Sequence, residues 1–255
     1  MIFFLTIKAT SMTKIYRDIF YKSYFSEKSS KGSDSLNQKR MKNWSKATLL
    51  RIKSWLPADK NVKILDIGCG FGLLLNTFKE EGYNNLVGVD ISEEQINIAK
   101  KLFPEIDFIC SDLISYLKNN QVKYDLVTAF DVLEHLDKQE AFATLELICN
   151  NLIEHGQLII QTPNAESPWF GTVAYGDFTH EWFYTTSSIE DILLKTGFKR
   201  FDFLPSEPMA INLKSFIRKI IWSIIKLFLV IWNLAETGSK GSKIYTRVFL
   251  ARAVK

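Results

Sequence analysis

Val62-Lys63-Ile64-Leu65-Asp66-Ile67-Gly68-Cys69-Gly70-Phe71-Gly72 carries an apolar run straight into glycines at alternate positions. The first half has the composition of a buried strand, and the glycines form a turn whose backbone can approach a ligand that any Cβ would block. A dinucleotide fingerprint, G-x-G-x-x-G or A, fails here, because the position needing the third small residue holds Leu73. Gly72 comes one residue early. No Lys-Ser or Lys-Thr pair follows, which excludes a phosphate-binding P-loop. Asp66 stands two positions before the first glycine, where a carboxylate suits a ligand ammonium and repels a pyrophosphate.

Outward from this stretch, short apolar runs alternate with helical patterns. Strands are expected over residues 62–65, 85–89, 107–109, 124–130 and 157–161. A helix is expected over 36–56, stopped by Pro57, and another over 93–102, where Ser92 and Gln95 have capping-box spacing. This strand-helix rhythm belongs to a parallel sheet. Residues 162–184 break it with prolines, glycines and many aromatics, the composition of a lid or substrate wall. A helix capped by Ser187 and Glu190 then runs to Gly197, followed by a strand over 199–204. An insertion over 206–243 precedes a last strand over 245–253.

The chain has 255 residues, 47% of them apolar and 24% charged, the balance of one folded domain over 35–255 behind an N-terminal arm, 1–34. Residues 1–7 are apolar but lack the basic flank and cleavage site of a signal peptide, and Met12 offers a second start. Cys69, Cys110 and Cys149 form no CxxC pair, and an odd number makes a poor disulfide framework. A reducing, cytoplasmic location is expected. The net charge of +4 is local in origin, since residues 211–255 carry nine Lys or Arg against the single acid Glu236. Those bases are interleaved with long aliphatics and not with stacking aromatics, so nucleic acid is not an expected partner.

The run from Asp66 to Gly72 resembles the first motif of the class I S-adenosylmethionine-dependent methyltransferases, D-x-G-x-G-x-G, without departure. The resemblance continues through Asp90 at the end of the second strand, Asp112 after the third, and Phe130 at the end of the fourth. It implies a Rossmann-like, doubly wound, mostly parallel seven-stranded sheet with an antiparallel last strand and a helical insertion before it. It also implies S-adenosyl-L-methionine as cofactor, held by Asp66, Gly68, Cys69, Gly70, Asp90, Ile91, Asp112, Leu113 and Phe130. In the family the second-strand acid binds both ribose hydroxyls and the third-strand acid meets the adenine amino group. Read as single residues, Asp90 and Asp112 are equally good as a helix cap and a turn residue.

Methyl transfer to a hydroxyl also needs a proton removed, and histidine is scarce. His180, in Gly176-Asp177-Phe178-Thr179-His180-Glu181-Trp182 on the aromatic loop, is the candidate base, with a packed loop histidine as the alternative. Asp131, Glu134 and His135 share one face if their segment is helical, and such an O/O/N set suits Mg²⁺ or Mn²⁺. That stretch is similar to the ubiquinone-pathway O-methyltransferases, in which acids and a histidine are implicated in metal binding; capping the local helix is the plainer alternative.

Thr162-Pro163-Asn164, the 176–181 loop and the basic apolar insertion are similar to methyltransferases of bacterial surface-polysaccharide biosynthesis. The resemblance implies a small-molecule or lipid-linked glycan acceptor. A quinone-like or other lipid precursor is the enzymatic rival, and a cofactor-binding scaffold without turnover is the other class. Within the insertion, Leu213, Phe216, Ile217, Ile220, Ile221 and Ile224 lie on one helical face and Lys214, Ser215, Arg218 and Lys219 on the other. Residues 213–234 are expected to lie on the inner face of a membrane, or else to pack on the domain or a second subunit.

Overall fold

The computed structural model of the chain describes Arg17, Phe20 and residues 38–255. The arm expected over 1–34 and the start at Met12 otherwise lie outside the described residues. A helix, α1 (Gln38–Ile52), leads through a 3-10 turn at Lys53–Trp55 into β1 (Lys63–Ile67), α2 (Leu73–Glu80), β2 (Asn85–Asp90), α3 (Glu93–Leu102), β3 (Asp107–Cys110), α4 (Leu113–Asn119) and β4 (Tyr124–Phe130). Then follow α5 (Lys138–Asn151), β5 (Leu152–Pro163), α6 (Phe170–Ala174), α7 (Thr186–Lys195), β6 (Arg200–Pro205), α8 (Leu213–Thr237) and β7 (Val248–Val254).

The seven strands form one sheet in the order β3-β2-β1-β4-β5-β7-β6. All pairings from β3 to β5 are parallel, and β7 runs antiparallel to both of its neighbours. The expected sheet is therefore the observed one, last strand included. Strand ends differ by up to three residues, except that β5 begins at Leu152, where the register against β4 shifts between Tyr124 and Leu126.

Helices cover both faces, so β1 is buried on both sides and reads as a continuous apolar run. The twofold alternation divides its side chains: Leu65 and Ile67 join the core under α4, α5 and α7, while Ile64 joins the core under α1, α2 and α3. Asp66 shares the Ile64 side, which aims a carboxylate toward α1. The order in which successive strands are laid down reverses between the parallel neighbours β1 and β4, opening a crevice at the carboxyl ends of these strands.

Three local expectations need correction. Ser92 does cap α3, its hydroxyl accepting from the Gln95 N–H at 3.4 Å, but the Gln95 side chain stands over Gly70. The cap of α7 is Thr185 in a capping box with Ser188, so the helix starts before Ser187 and Glu190 is not the partner. The segment carrying Asp131, Glu134 and His135 is no α-helix: only Leu133–His135 make a 3-10 turn, and Asp131 lies outside it with φ +55°. Their i, i+3, i+4 spacing therefore does not set them on a common helical face.

Candidate functional site

The turn after β1 is fastened to β2, with the Gly68 and Cys69 N–H groups donating to the Val89 carbonyl at 2.8 and 3.1 Å. Gly68 has φ +65°, and a Cβ there would collide with Val132 Cγ2. Gly72, at φ 84°, precedes the first residue of α2. The alternate glycines thus serve three needs at once: left-handed backbone, contact with β4's exit loop, and a helix start.

Two adjoining hollows flank this turn and share Gly68, Gly70, Gln95 and Asp131. The smaller, about 360 Å³, is lined by Asp66, Cys69 and Phe130 together with Arg40, Met41 and Trp44 from α1. The larger, about 1080 Å³, is lined by Asp90, Ile91, Asp112 and Leu113 and continues to Glu134, His135, Asp177 and His180. Every residue expected to hold the cofactor borders one hollow or the other.

Asp66 is buried, and its Oδ1 accepts from the Thr128 hydroxyl at 2.6 Å. Burial pushes its carboxyl up to about 7, with the Thr128 bond opposing and the Asp90 charge adding to the shift. Asp90 accepts from the Gly70 N–H at 2.9 Å and the Ser92 N–H at 2.8 Å, one on each oxygen. Burial raises its pKa and these backbone donors pull it back. Each oxygen retains lone-pair capacity for a diol in the larger hollow. The plain alternatives need correction: Asp112, expected as a turn residue, is the N-cap of α4 through the Ser115 N–H at 2.9 Å and borders the hollow as well, whereas the cap of α3 is Ser92 and not Asp90.

At the far end, Glu134, His135 and His180 bring one ligand atom each to within 4.8 Å of one another. His180 Nδ1 lies 3.3 Å from the Ala174 carbonyl, and His135 Nδ1 lies 3.3 Å from the Thr179 carbonyl. The Ala174 carbonyl only accepts, so the neutral His180 ring carries its proton on Nδ1 and keeps a lone pair on Nε2, while His135 Nδ1 also meets the Thr179 hydroxyl at 2.9 Å, which donates to Asp177 Oδ1 at 2.7 Å. Glu134 is buried and accepts from the Thr162 hydroxyl at 3.2 Å. Burial and then the Asp131 charge hold its carboxyl well above the usual range. Its carbonyl accepts the Glu181 and Trp182 N–H groups, which ties the 162–184 loop to this end of the site. Asp131 accepts from Gln161 Nε2 at 3.1 and 3.2 Å.

Sequence reasoning missed four residues at the site and its aromatic loop. Arg40 and Trp44 share a face of α1 and border the Asp66 hollow; a cation at i with an aromatic at i+4 was the available signal. Arg17 borders the larger hollow and pairs with Glu140 at 2.7 Å and Glu181 at 3.4 Å, although residues 1–34 read as a separate arm. Phe20 stacks on Phe178 of the aromatic loop at 5.6 Å between ring centroids. Nothing in the local sequence around Arg17 marks it.

Among proteins of known name, the mitochondrial ubiquinone biosynthesis O-methyltransferase of Candida albicans is 28% identical over 57% of this chain and 49% of its own length. The small RNA 2'-O-methyltransferase of Rattus norvegicus is 34% identical over 47% of this chain and 34% of its own. The chain spans about half or less of the length of these relatives. In fold it is similar to a SAM-dependent methyltransferase from Archaeoglobus fulgidus, with TM-score 0.61 at 22% identity over 88% of this chain and 100% of that one. A magnesium protoporphyrin IX methyltransferase from Synechocystis gives 0.58 at 20% identity over 95% and 98%. Residues 36–200 match the family described as methyltransferase domain. With a match over more than half of its residues, the chain belongs to the methyltransferase domain family.

Proposed function

We propose that this protein methylates a hydroxyl group, with S-adenosylmethionine as methyl donor and a sugar hydroxyl of a glycan precursor as acceptor. The observation that carries the reading is the continuity of the larger hollow from the strand-end acids Asp90 and Asp112 to the polar cluster of Glu134, His135 and His180. One end suits a nucleoside and the other a polar acceptor.

The residues fit the cofactor. Asp66 offers a buried carboxylate for an ammonium, Arg40 a guanidinium for a carboxylate, and Asp90 two oxygens for a ribose diol. The glycine turn gives the close approach that a Cβ would fill. When bound, the cofactor supplies an electrophilic methyl on a sulfonium. The chain's own contribution is to hold the acceptor oxygen in line and to take its proton, for which His180 Nε2 is the free base.

The same cluster also suits a divalent metal. One carboxylate and two imidazoles, His180 held through Nδ1 by the Ala174 carbonyl and His135 by Thr179, make a donor set that favours Mn²⁺ over Mg²⁺, because imidazole nitrogens are poor Mg²⁺ ligands. Asp131 of the expected set stands beside it in the hollow. A bound ion would stabilise the acceptor alkoxide, and the histidines would then be ligands in place of base.

A second reading, methylation of a quinone-like lipid precursor, is favoured by relatives named ubiquinone biosynthesis O-methyltransferases. Release of S-adenosylhomocysteine on adding nucleotide sugars, lipid-linked glycans or a hydroxylated quinone tests both. Turnover with the sugar class alone supports the first reading, and turnover with the quinone alone replaces it. No release with any of them, against tight cofactor binding, favours a scaffold.

A further inference from the structure

We infer that the outward face of α8 seats the protein on an anionic lipid surface. The helix has 25 residues, about 37 Å at ~1.5 Å per residue, and none of them is buried. Its domain side is held by Lys226, which pairs with Glu207 at 2.7 Å, and by Trp222, whose ring lies 6.1 Å from Trp169. Phe216, Ile220, Ile224, Leu227 and Ile231 fall on the opposite side, each about half exposed or more. An amphipathic helix of a globular domain turns its apolar stripe inward; here it points away from the core.

No described helix is long and apolar enough to cross a membrane, and Lys214, Arg218, Lys219 and Lys226 interrupt this one. A helix lying in the interface is the arrangement that fits. Lys214 and Arg218 border one edge of the apolar face and Lys219 the other, where they would meet acidic headgroups.

Charge separates lipid from a second copy of the chain. Two parallel copies would oppose these cations to each other. Antiparallel copies would offer them only Glu236, which already accepts from Trp232 Nε1 at 3.1 Å. The apolar face also covers nearly half the helix circumference, wider than the seam a helix pair needs. The Trp222–Trp169 contact carries the surface toward the cleft, since Trp169 immediately precedes α6, whose Val173 lines the larger hollow.

The test is sedimentation of the full chain with vesicles of phosphatidylcholine alone and of phosphatidylcholine mixed with phosphatidylglycerol, at low and high salt. The expected result is binding that needs phosphatidylglycerol, weakens several-fold as salt rises, and falls by about tenfold or more in the I220E/I224E variant. Both isoleucines are already half exposed, so that variant should keep the parent's thermal unfolding temperature. The inference is overturned if the parent stays in the supernatant, if binding ignores both phosphatidylglycerol and salt, or if the parent is a salt-insensitive dimer that the variant converts to monomer. Docking does not rest on methyl transfer: loss of cofactor binding in a calorimetric titration would sink that reading and leave the vesicle result standing.

Discussion

The Thr128 hydroxyl donates to Asp66 Oδ1 at 2.6 Å across the β1–β4 boundary, and both residues are buried. This bond opposes the shift of an acid that burial pushes up to about 7. An unfolded chain would ionise the same acid near pH ~3.9, so between about pH 4 and 7 the native state binds more protons than the unfolded one. Native stability without cofactor should therefore fall as pH rises through that window and level off above it.

A cationic ligand reverses the balance by favouring the carboxylate. Cofactor affinity should rise between about pH 5 and 8, with a proton released on binding below pH ~7. Thr128→Val removes the opposing bond and should move the midpoint upward. Calorimetry in buffers of different ionisation enthalpy reads the proton directly; an affinity flat with pH and no proton release would exclude Asp66 as the ammonium partner.

Gly68 should not tolerate a side chain. Gly68→Ala sets a Cβ against Val132 Cγ2 and strains a backbone at φ +65°, which costs about 1–3 kcal/mol. Cofactor affinity should drop more than tenfold. Adding Val132→Ala relieves the contact but not the dihedral, so rescue in denaturant melts should be partial. Full rescue would mean that sterics alone dictate the glycine.

His180→Ala should slow turnover by about 10²–10⁴-fold and leave cofactor affinity unchanged. Electron paramagnetic resonance with added Mn²⁺ tells base from ligand: a bound signal in the parent that disappears in His135→Ala and His180→Ala marks a metal site. Free Mn²⁺ in all three, with the rate loss intact, leaves His180 as the base.

Arg40→Ala should weaken cofactor binding by about 1.5–3 kcal/mol, the worth of a hydrogen bond to a charged group. At saturating cofactor the turnover number should be near the parent's. A turnover loss that saturation does not repair would place Arg40 at the acceptor.

The sheet, and the glycines and acids that border the two hollows, were legible because each rests on local physics. An apolar run between two helices can only be a strand buried on both faces, and left-handed glycines beside strand-end acids leave few alternatives. The far end of the site was only half legible. Glu134 and His135 are sequence neighbours, but His180 reaches them through the fold, guided by N–H donation from Glu181 and Trp182 to the Glu134 carbonyl. Spacing predicted a helix for Asp131, whereas its N–H donates to the Gln161 carbonyl at 2.9 Å and holds φ at +55°. Arg40 and Arg17 escaped because a cation's role depends on what the tertiary fold sets opposite it.

The strands β6 and β7 are antiparallel neighbours, with Pro205 paired to Phe249, so the segment between them begins and ends at adjacent points of one edge. Closing such a hairpin costs only slightly more for a long loop than for a short one. The α8 segment is therefore a detachable attachment in an evolutionary sense. Replacing it with a tight turn, or exchanging it for another chain's counterpart, would remove the proposed lipid-facing surface while sparing the glycine turn at the far side of β4 and β5.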